Sequence, residues 1–528
     1  MCRFDSRGEK ESHRLNLLSR NMFAFLWTSL AQLQQWTLTS WLSLLVAILV
    51  LAYVYEQVLY VIKRGSLPGP VLTLPFIGGI IHMITAPYDF WHGQMKYGKL
   101  SWNSIIGRFF VLITDTEYSR KIFEGCSADL ALVLSPNAYR LLGRDNIAFM
   151  NGSTHKSLRI ALLPLFTTKA LSIYLHIQEK AIRTHLTQWC QLSDAKQSNG
   201  LEMRPLLYDL NMSTSLSVFL GPYLNESLRQ QFRTNYMDLT RGMFAAPIYL
   251  PGTQLYRGVR AANAIRKSLE SIVAQSKQRM ARGDEEPSCL LDFWIMSTLK
   301  SLDDARRAHQ EVPEHTTDEE IAKITLDFLF AAQDASTSSL TFAIHEICKH
   351  PDVLEKIRQE QRIVRPDLHA AISSDQLTQM KYTWQVMKEL LRLRPPATLA
   401  IHVANKPVRI SDDYTAPRGA LVIPSIWSSN RIGFPEPERF DPDRFNATRA
   451  EHLKFDRNFL TFGAGPHSCI GQRYAMNHIM LFISLLTDCD FERAHRANQD
   501  EIIYLPTIYP ADGCVLNYIK QSSSLKAQ

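Results

Sequence analysis

One short stretch constrains this chain of 528 residues more than any other. Residues 462–471, FGAGPHSCIG, place one cysteine, Cys469, in a loop with three glycines and a proline. The glycines permit positive φ and leave room for a flat group against the backbone, while the proline stiffens the turn. Apolar residues at helical spacing then predict a helix over residues 471–486. Because a helix N-terminus favours an anion, we expect a lowered pKa and a thiolate at Cys469.

The chemistry that suits one isolated thiolate is metal ligation. Without a second cysteine nearby, Cys469 makes a poor zinc or iron–sulfur site but a good axial ligand to haem iron. The alternative is an ordinary buried cysteine at the start of a helix. The loop resembles the signature of the cytochrome P-450 family, which falls on the following residues: Phe462, Gly465, His467, Cys469 and Gly471. The resemblance implies haem b, with Cys469 as metal ligand and His467, where most members have Arg, near a propionate.

The length could hold several domains, but no linker or repeat divides the chain after about residue 70. A hydrophobic share of 46% and a charged share of 21% are typical of a globular chain with a sizeable core. The eight cysteines are scattered, without a C-x-x-C pair, which fits a reducing compartment. The net charge of +7 is a mild excess, and we predict no nucleic-acid partner.

An apolar run near the N-terminus predicts one transmembrane helix, since it reaches the roughly 20 residues that a span needs. A cleaved signal peptide is the alternative, but the run starts late and lacks a small-residue cleavage site. Lys63 and Arg64 form a positive flank that favours a cytosolic domain, and we expect a single-pass protein of the endoplasmic reticulum membrane. The predicted divisions are a tail at 1–40 with an interfacial helix at 22–36, the anchor at 41–62, a proline-rich hinge at 63–70 and a haem-thiolate catalytic domain at 71–528.

Secondary-structure patterns predict a chain that is mainly α with a minor β part. An apolar run at residues 109–114 indicates a strand, and helical periodicity prevails from about residue 117. The resemblance implies the cytochrome P-450 fold, a triangular helical domain that encloses haem, with one N-terminal transmembrane helix.

Two basic residues share one face of a predicted helix, because His155 and Arg159 are four positions apart. In the family, such residues bind a haem propionate. Most members have Trp where this chain has His155. With His155 at this position, the sequence resembles the sterol 22-desaturase branch of the family. The following stretches carry the likeness: 155–179, 209–216, 246–252 and 328–336.

A capping box at residues 317–320 starts a helix that is predicted to run to His350, before Pro351. Small and hydroxyl-bearing residues at 331–339 interrupt its apolar pattern and predict a groove. In the family, this segment crosses the distal face of haem, where an acid and an alcohol relay protons.

Asp334 matches the acid of that relay. Ala335 occupies the position where the family has its threonine, so the candidate hydroxyls are Ser336 and Thr337. The sterol 22-desaturases have the same displacement. We therefore interpret Asp334, Ser336 and Thr337 as the catalytic residues.

Glu389 and Arg392 are neighbours on one face of a helix, at positions i and i+3. In the family, a second arginine completes a Glu-Arg-Arg cluster beneath haem, and the resemblance assigns that place to Arg439. Bidentate pairing would make this cluster a structural clasp. The resemblance also implies a substrate pocket that is chiefly apolar, formed by Phe328, Ala332, Thr398, Leu399, Thr507 and Ile508.

The chain contains no dinucleotide or flavin motif, so NADPH acts only indirectly, through NADPH-cytochrome P-450 reductase as electron donor. The resemblance implies a membrane-bound oxidoreductase that uses dioxygen to desaturate a sterol side chain at C22, as in the biosynthesis of ergosterol-type sterols. One alternative is a hydroxylase of another lipid or a secondary metabolite. A more distant alternative is a haem- or sterol-binding protein without turnover, which the alanine at position 335 favours.

Overall fold

The protein is described over residues 38–195, 200–283, 285–504 and 507–522 in a computed structural model. The predicted interfacial helix at 22–36 and nearly all of the predicted tail lie outside these ranges. Helices dominate, which confirms a class that is mainly α with a minor β part. The helices are α1 (Leu38–Arg64), α2 (Ile80–Thr85), α3 (Pro87–Met95), α4 (Thr116–Glu124), α5 (Ala138–Leu141), α6 (Gly152–Ala161), α7 (Thr168–Ala195), α8 (Met203–Leu220), α9 (Glu226–Phe244), α10 (Gln254–Arg282), α11 (Leu290–Arg307), α12 (Asp318–Lys349), α13 (Pro351–Val364), α14 (Ser374–Gln379), α15 (Lys381–Leu393), α16 (Ile426–Ser429), α17 (Glu451–Lys454) and α18 (Gln472–Leu486).

The strands are short and fall into separate small sheets. One sheet has five strands in the order β1-β2-β8-β5-β3, a second has three in the order β4-β12-β9, and two more are pairs, β6 with β7 and β10 with β11. The strands are β1 (Leu100–Ile105), β2 (Arg108–Ile113), β3 (Leu130–Leu132), β4 (Leu201–Glu202), β5 (His402–Ala404), β6 (Val408–Arg409), β7 (Thr415–Ala416), β8 (Leu421–Pro424), β9 (Cys489–Arg493), β10 (Ile502–Ile503), β11 (Tyr509–Pro510) and β12 (Val515–Gln521).

The five-stranded sheet is built around the strand that the sequence predicts at residues 109–114. This strand is β2, and every residue after Arg108 is buried in it, as expected of a short aromatic and β-branched run. It pairs antiparallel with β1 and parallel with β8. Residues of the sheet belong to two hydrophobic clusters, one with Val111 and one with Phe110, and both are separate from the two larger clusters of the molecule.

Helix α12 passes through the helical part of the molecule, where it contacts α8, α10, α15 and α18. The side chain of Thr317 accepts a hydrogen bond from the backbone N–H of Glu320, and the Glu320 carboxylate accepts one from the backbone of Thr317. This reciprocal pair is the predicted capping box. The helix ends at Lys349, before Pro351, and its 32 residues span about 48 Å.

Helix α1 begins three residues before the predicted anchor and ends at Arg64, so the proline-rich link starts only after that residue. The helix is long and apolar enough to cross a membrane, by length and composition. Its last turns pack against the domain. Tyr60 lies 5.8 Å from Trp102 and 6.2 Å from Phe109 between ring centroids, and its hydroxyl donates to Glu56. The carboxyl-terminal part of α1 therefore belongs to the domain's core.

Two truncations should separate the membrane segment from this packed end. Deletion of residues 1–50 removes most of the apolar run but keeps Tyr60, whereas deletion of residues 1–62 removes both. We expect both variants to partition less into membranes, but only the longer deletion to lose about 3–5 kcal/mol of stability, as when a buried aromatic side chain is truncated. Membrane sedimentation and urea unfolding of both variants measure the two effects. Equal stability of the two truncated proteins would contradict a structural role for Tyr60.

Candidate functional site

A cavity of about 420 Å³ lies between helix α12, helix α6 and the loop that carries Cys469. Its walls are mostly apolar. The polar side chains collect in two places: imidazole, guanidinium and thiol groups around the Cys469 loop, and a few hydroxyl and carboxyl groups on α12. This is the form expected of a pocket for a large apolar ligand with a few fixed polar contacts.

Glycine positions shape the Cys469 loop as the sequence predicts. Gly463 has φ +69° and Gly465 has φ +67°, in the left-handed region that favours glycine. A Cβ atom on Gly465 would lie 2.7 Å from the Cα atom of Glu124, so a side chain there would collide with the end of α4. The backbone N–H of Cys469 donates to the carbonyl of Phe462 at 2.8 Å, and α18 starts three residues after the cysteine.

The accessible surface of Cys469 opens into the cavity while protein surrounds the rest of the residue. Burial raises the pKa of this thiol, and the backbone N–H of Gly471 and the Arg159 guanidinium lower it only in part. The prediction of a lowered pKa at Cys469 is therefore wrong, because desolvation outweighs those two contributions. A bound metal ion would still make Cys469 a thiolate, since a coordinating thiol is deprotonated outright.

Cys126 is a second cysteine that lines the cavity. Its thiol donates a hydrogen bond to the carbonyl of Leu130 at 3.3 Å. Burial raises the pKa of Cys126 as well, and no helix starts at this residue. Cys126 is thus a cavity-lining thiol outside the glycine loop, with which the effects of replacing Cys469 can be compared.

Helix α6 brings the two predicted basic residues to the Cys469 loop. The rings of His155 and His467 stack with centroids 4.0 Å apart and planes 12° apart, and Arg159 Nη1 donates to the carbonyl of Ser468 at 2.6 Å. Burial lowers the pKa of His467 to about 4, with His155 as the next cause, and burial also lowers the pKa of His155. Two neutral imidazoles, which are N–H donors, and one guanidinium therefore lie together.

A third imidazole, which the sequence patterns do not single out, lies in the same wall of the cavity. His402, in β5, is buried and lines the cavity, and burial lowers its pKa to about 4. Its Nδ1 lies 3.2 Å from the carbonyl of Ala400. The available signal was its place directly after the apolar stretch at residues 397–401.

These donors fit haem, a flat and largely apolar ring system with two carboxylates and an iron that accepts a sulfur ligand. Cys469 could supply the sulfur, from a loop whose glycines carry no side chains that would keep a flat ring from the backbone. Arg159 and the imidazoles could donate hydrogen bonds to the carboxylates. Of the remaining signature residues, Phe462 and Gly471 line the cavity, whereas Gly465 does not and acts through its close packing on α4.

The groove of α12 places the two candidate hydroxyls differently. Ser336 lines the cavity beside Ala335, as does Ser339 one turn later. Thr337 is buried on another side of the helix, where its hydroxyl donates to the carbonyl of Gln333 at 2.8 Å and accepts from Asn211 Nδ2 at 3.0 Å. The interpretation of Thr337 as a catalytic residue is therefore wrong, because its hydroxyl is engaged away from the cavity.

Asp334 lies beside the groove and is not among the described residues that line the cavity. Its backbone carbonyl accepts a hydrogen bond from Thr507 Oγ1 at 3.3 Å. Burial raises the pKa of the Asp334 carboxyl to about 6, and Arg204 opposes this rise. The group can exchange a proton near neutral pH, as a relay requires.

The predicted substrate pocket is partly corrected. Phe328 and Ala332 line the cavity, on the same face of α12 as Ser336. The wall at the end of α15 is formed by Pro396, Ala397 and Ala400. The predicted residues that do not line the cavity in the described structure are Thr398, Leu399, Thr507 and Ile508.

Each of these four is held elsewhere. The carbonyl of Thr398 accepts from the backbone of Trp427, and Leu399 packs beside the cluster that contains Phe90. Thr507 bonds the backbone of α12, and Ile508 is buried in the main core, with its carbonyl bonded to Ser338 at 2.6 Å. These contacts hold the four residues outside the lining of the cavity.

The predicted clasp forms, with one member replaced. Arg392 contacts Glu389 through two hydrogen bonds, at 2.6 and 2.8 Å, and both side chains have 0% exposure. The second arginine is Arg444, which is 1% exposed and lies 3.2 Å from Glu389 Oε1. The assignment of Arg439 is wrong, because its side chain is 64% exposed and pairs with Glu436 at the surface.

Comparison with known proteins agrees with this geometry. The sequence model of the family Cytochrome P450 matches residues 68–505. Cytochrome P450 710A3 of Arabidopsis thaliana is 41% identical over 479 residues, which cover 89% of this chain and 95% of the relative. C-22 sterol desaturase ERG5A of Gibberella zeae is 32% identical over 500 residues, which cover 92% of this chain and 91% of the relative.

A solved structure supports the fold alone. Retinoic acid-bound cyanobacterial CYP120A1 superposes with a TM-score of 0.71 at 24% sequence identity, over 85% of this chain and 98% of that one. The fold, the cavity with its cysteine loop, and the match over most of the sequence agree with one another. The chain belongs to the cytochrome P450 family of haem-thiolate monooxygenases.

Proposed function

We propose that this protein desaturates a sterol side chain at C22, in the biosynthesis of ergosterol-type sterols. The observation that carries the proposal is the similarity to C-22 sterol desaturase ERG5A over about nine-tenths of both chains. The cavity is compatible with such a substrate, because its walls away from the Cys469 loop are mainly apolar.

The residues that would hold haem are those of the Cys469 loop and of helix α6. Cys469 would provide the axial sulfur, and Arg159, with His155 and His467, would face the carboxylates. When bound, haem supplies the activation of dioxygen that hydrogen removal from an unactivated carbon requires. The protein contributes by orienting the side chain of the substrate against the groove and by excluding water from it.

Proton supply would come from α12. Asp334, whose pKa of about 6 lies close to neutrality, would take protons from the solvent side. Ser336 presents a hydroxyl to the cavity beside Ala335 and would pass protons inward. The overall reaction balances as sterol, dioxygen, NADPH and one proton giving the unsaturated sterol, two waters and NADP⁺.

The proposal includes an electron donor and a location. NADPH-cytochrome P-450 reductase would deliver the two electrons, docking on the side of the Cys469 loop. Helix α1 would anchor the protein as a single span in the endoplasmic reticulum membrane. Lys63 and Arg64 in its last turn favour a cytosolic domain.

Two neighbouring hydroxyls test the proton path. We expect Ser336→Ala to lower kcat about tenfold or more while leaving sterol affinity within about twofold, because its hydroxyl faces the reacting groove. Thr337→Val is the matched control. It should leave kcat nearly unchanged and lower stability by about 1–3 kcal/mol, since Asn211 loses its acceptor. Steady-state kinetics and thermal unfolding separate these effects, and an intact kcat in Ser336→Ala would count against the assignment.

Substrate class is tested with a panel of three compounds. The haem-loaded protein is incubated with reductase and NADPH, and with a sterol that has a saturated side chain, a steroid without a side chain, or a long-chain fatty acid. Consumption of the first compound alone is expected. Turnover of the fatty acid or of the steroid without a side chain, with the sterol left intact, would favour a hydroxylase of another lipid. Cys469→Ala serves as the inactive control.

A further inference from the structure

A buried carboxyl group, Asp327, lies on helix α12 at the wall of the cavity. Its oxygens accept hydrogen bonds from Asn146 Nδ2 and, at 3.1 Å, from the backbone N–H of Ile147. Arg266 lies close enough to influence it, but that guanidinium donates to the carbonyl of Leu141. Within the described ranges no basic side chain forms an ion pair with Asp327, and the charge of Arg266 offsets its burial only in part.

Asp327 is also the one carboxyl group among the described residues that line the cavity. A carboxyl group has about four acceptor positions, and its two protein partners occupy two of them. Burial raises its pKa well above the usual range, which favours a neutral carboxyl that can donate as well as accept. Asp327 lines the cavity, so a bound ligand can reach its carboxyl group and supply a further hydrogen-bond partner.

We propose that Asp327 binds the hydroxyl group of the substrate. The inference rests on the proposed function, because a sterol carries its hydroxyl at the opposite end of its rigid ring system from its side chain. Asp327 precedes Ser336 by nine residues, which is about 13.5 Å along α12 and half a turn around it. The two residues lie at opposite edges of the part of α12 that lines the cavity, with Phe328, Ala332 and Ala335 between them. A molecule that crosses this part of the helix diagonally, with its side chain at Ser336, places its ring hydroxyl toward Asp327. The contact fixes which carbon of the side chain lies at the groove.

A purely structural role would look different. Asn146 belongs to the segment that carries Ile147 and Ala148, and both of these line the cavity. The Asp327 carboxyl therefore also ties this wall to α12. Loss of that tie should weaken every ligand alike, whereas loss of a substrate contact should weaken only ligands that carry the hydroxyl.

The experiment compares two ligands in three forms of the haem-loaded protein. The ligands are a 3β-hydroxysterol with a saturated side chain and its 3-deoxy analogue, and equilibrium binding is measured with radiolabelled compounds. The forms are the wild type, Asp327→Leu, which removes the carboxyl, and Asn146→Ala, which removes the tie and keeps the carboxyl. Because equal binding of the two ligands by the wild type overturns the inference without any variant, the inference remains falsifiable if a variant fails to fold.

We expect the wild type and Asn146→Ala to prefer the hydroxysterol by about tenfold or more, and Asp327→Leu to bind both ligands within about twofold. Equal affinity of the wild type for the two ligands would overturn the inference and leave the proposed function standing. An undiminished preference in Asp327→Leu would also overturn it. Failure of the wild type to bind either compound would overturn the proposed function, and this inference with it.

Discussion

Replacement of Cys469 by alanine or serine is expected to abolish the thiolate-type carbon monoxide difference spectrum and all turnover. Neither replacement supplies sulfur, and a thiolate ligand gives this class of haem protein its oxygen chemistry. The structure supports the expectation, because Cys469 lines the cavity from the loop that precedes α18. The absorbance difference spectrum is recorded for the reduced protein with and without carbon monoxide. Haem content and NADPH-dependent consumption of sterol are measured on the same samples.

Cys126→Ala is the matched control, since Cys126 is the other cysteine among the described residues that line the cavity. The Cys126 thiol is hydrogen-bonded to the carbonyl of Leu130. We therefore expect the spectrum and turnover of the Cys126→Ala variant to stay close to those of the wild type. A normal spectrum in Cys469→Ala, or loss of the spectrum in Cys126→Ala with haem still bound, would show that the wrong cysteine has been assigned.

Removal of the buried clasp is expected to cause a large loss of stability, the second largest effect that we predict. Glu389→Ala leaves the guanidinium groups of Arg392 and Arg444 in the core without their carboxylate, and breaking such a buried pair costs about 3–5 kcal/mol. Since a typical domain is stable by only about 5–15 kcal/mol, we expect little folded, haem-loaded protein. Soluble yield, haem content and urea unfolding are the measurements.

Two arginines provide the comparison. Arg444→Ala should behave like Glu389→Ala, because its side chain is buried against Glu389 and also bonds the backbone of Glu436. Arg439→Ala should leave stability almost unchanged, because exposed ion pairs contribute below about 1 kcal/mol. The reverse order of the two variants would restore Arg439 to the clasp. Normal haem content with slow turnover in Glu389→Ala would indicate a catalytic role.

The sequence predicted most reliably what depends on local chemistry. The capping box at Thr317, the stop before Pro351 and the helix after the Cys469 loop follow from hydrogen bonds and backbone angles of adjacent residues. The pairing of Glu389 with Arg392 follows in the same way, from helical spacing. For these features the neighbours in sequence are the neighbours in space.

The errors arose where distant segments meet. Arg439 and Arg444 lie in an irregular segment, and only the folded chain shows which of them turns inward. Thr398 and Leu399 sit in an extended segment whose cavity-facing side depends on its neighbours in the fold. The pKa of Cys469 depends on burial, which local sequence does not determine.

One error was avoidable. Ser336 falls on the same face of α12 as Ala332, four residues before it, whereas Thr337 lies half a turn away from Phe328. Helical geometry alone therefore separated the hydroxyl in the cavity from the one that bonds Asn211. The resemblance indicated both hydroxyls, those of Ser336 and Thr337, but did not distinguish the faces of α12 on which they lie.

The most direct test of C22 desaturation is one labelled turnover experiment. The haem-loaded protein, reductase and NADPH act under ¹⁸O₂ on a sterol that carries deuterium at C22 and C23, and the product is analysed by mass spectrometry. Desaturation at C22 predicts a product that has lost one deuterium from each carbon and contains no ¹⁸O. A product that retains the deuterium of one carbon and carries one ¹⁸O atom would contradict it and identify a hydroxylase.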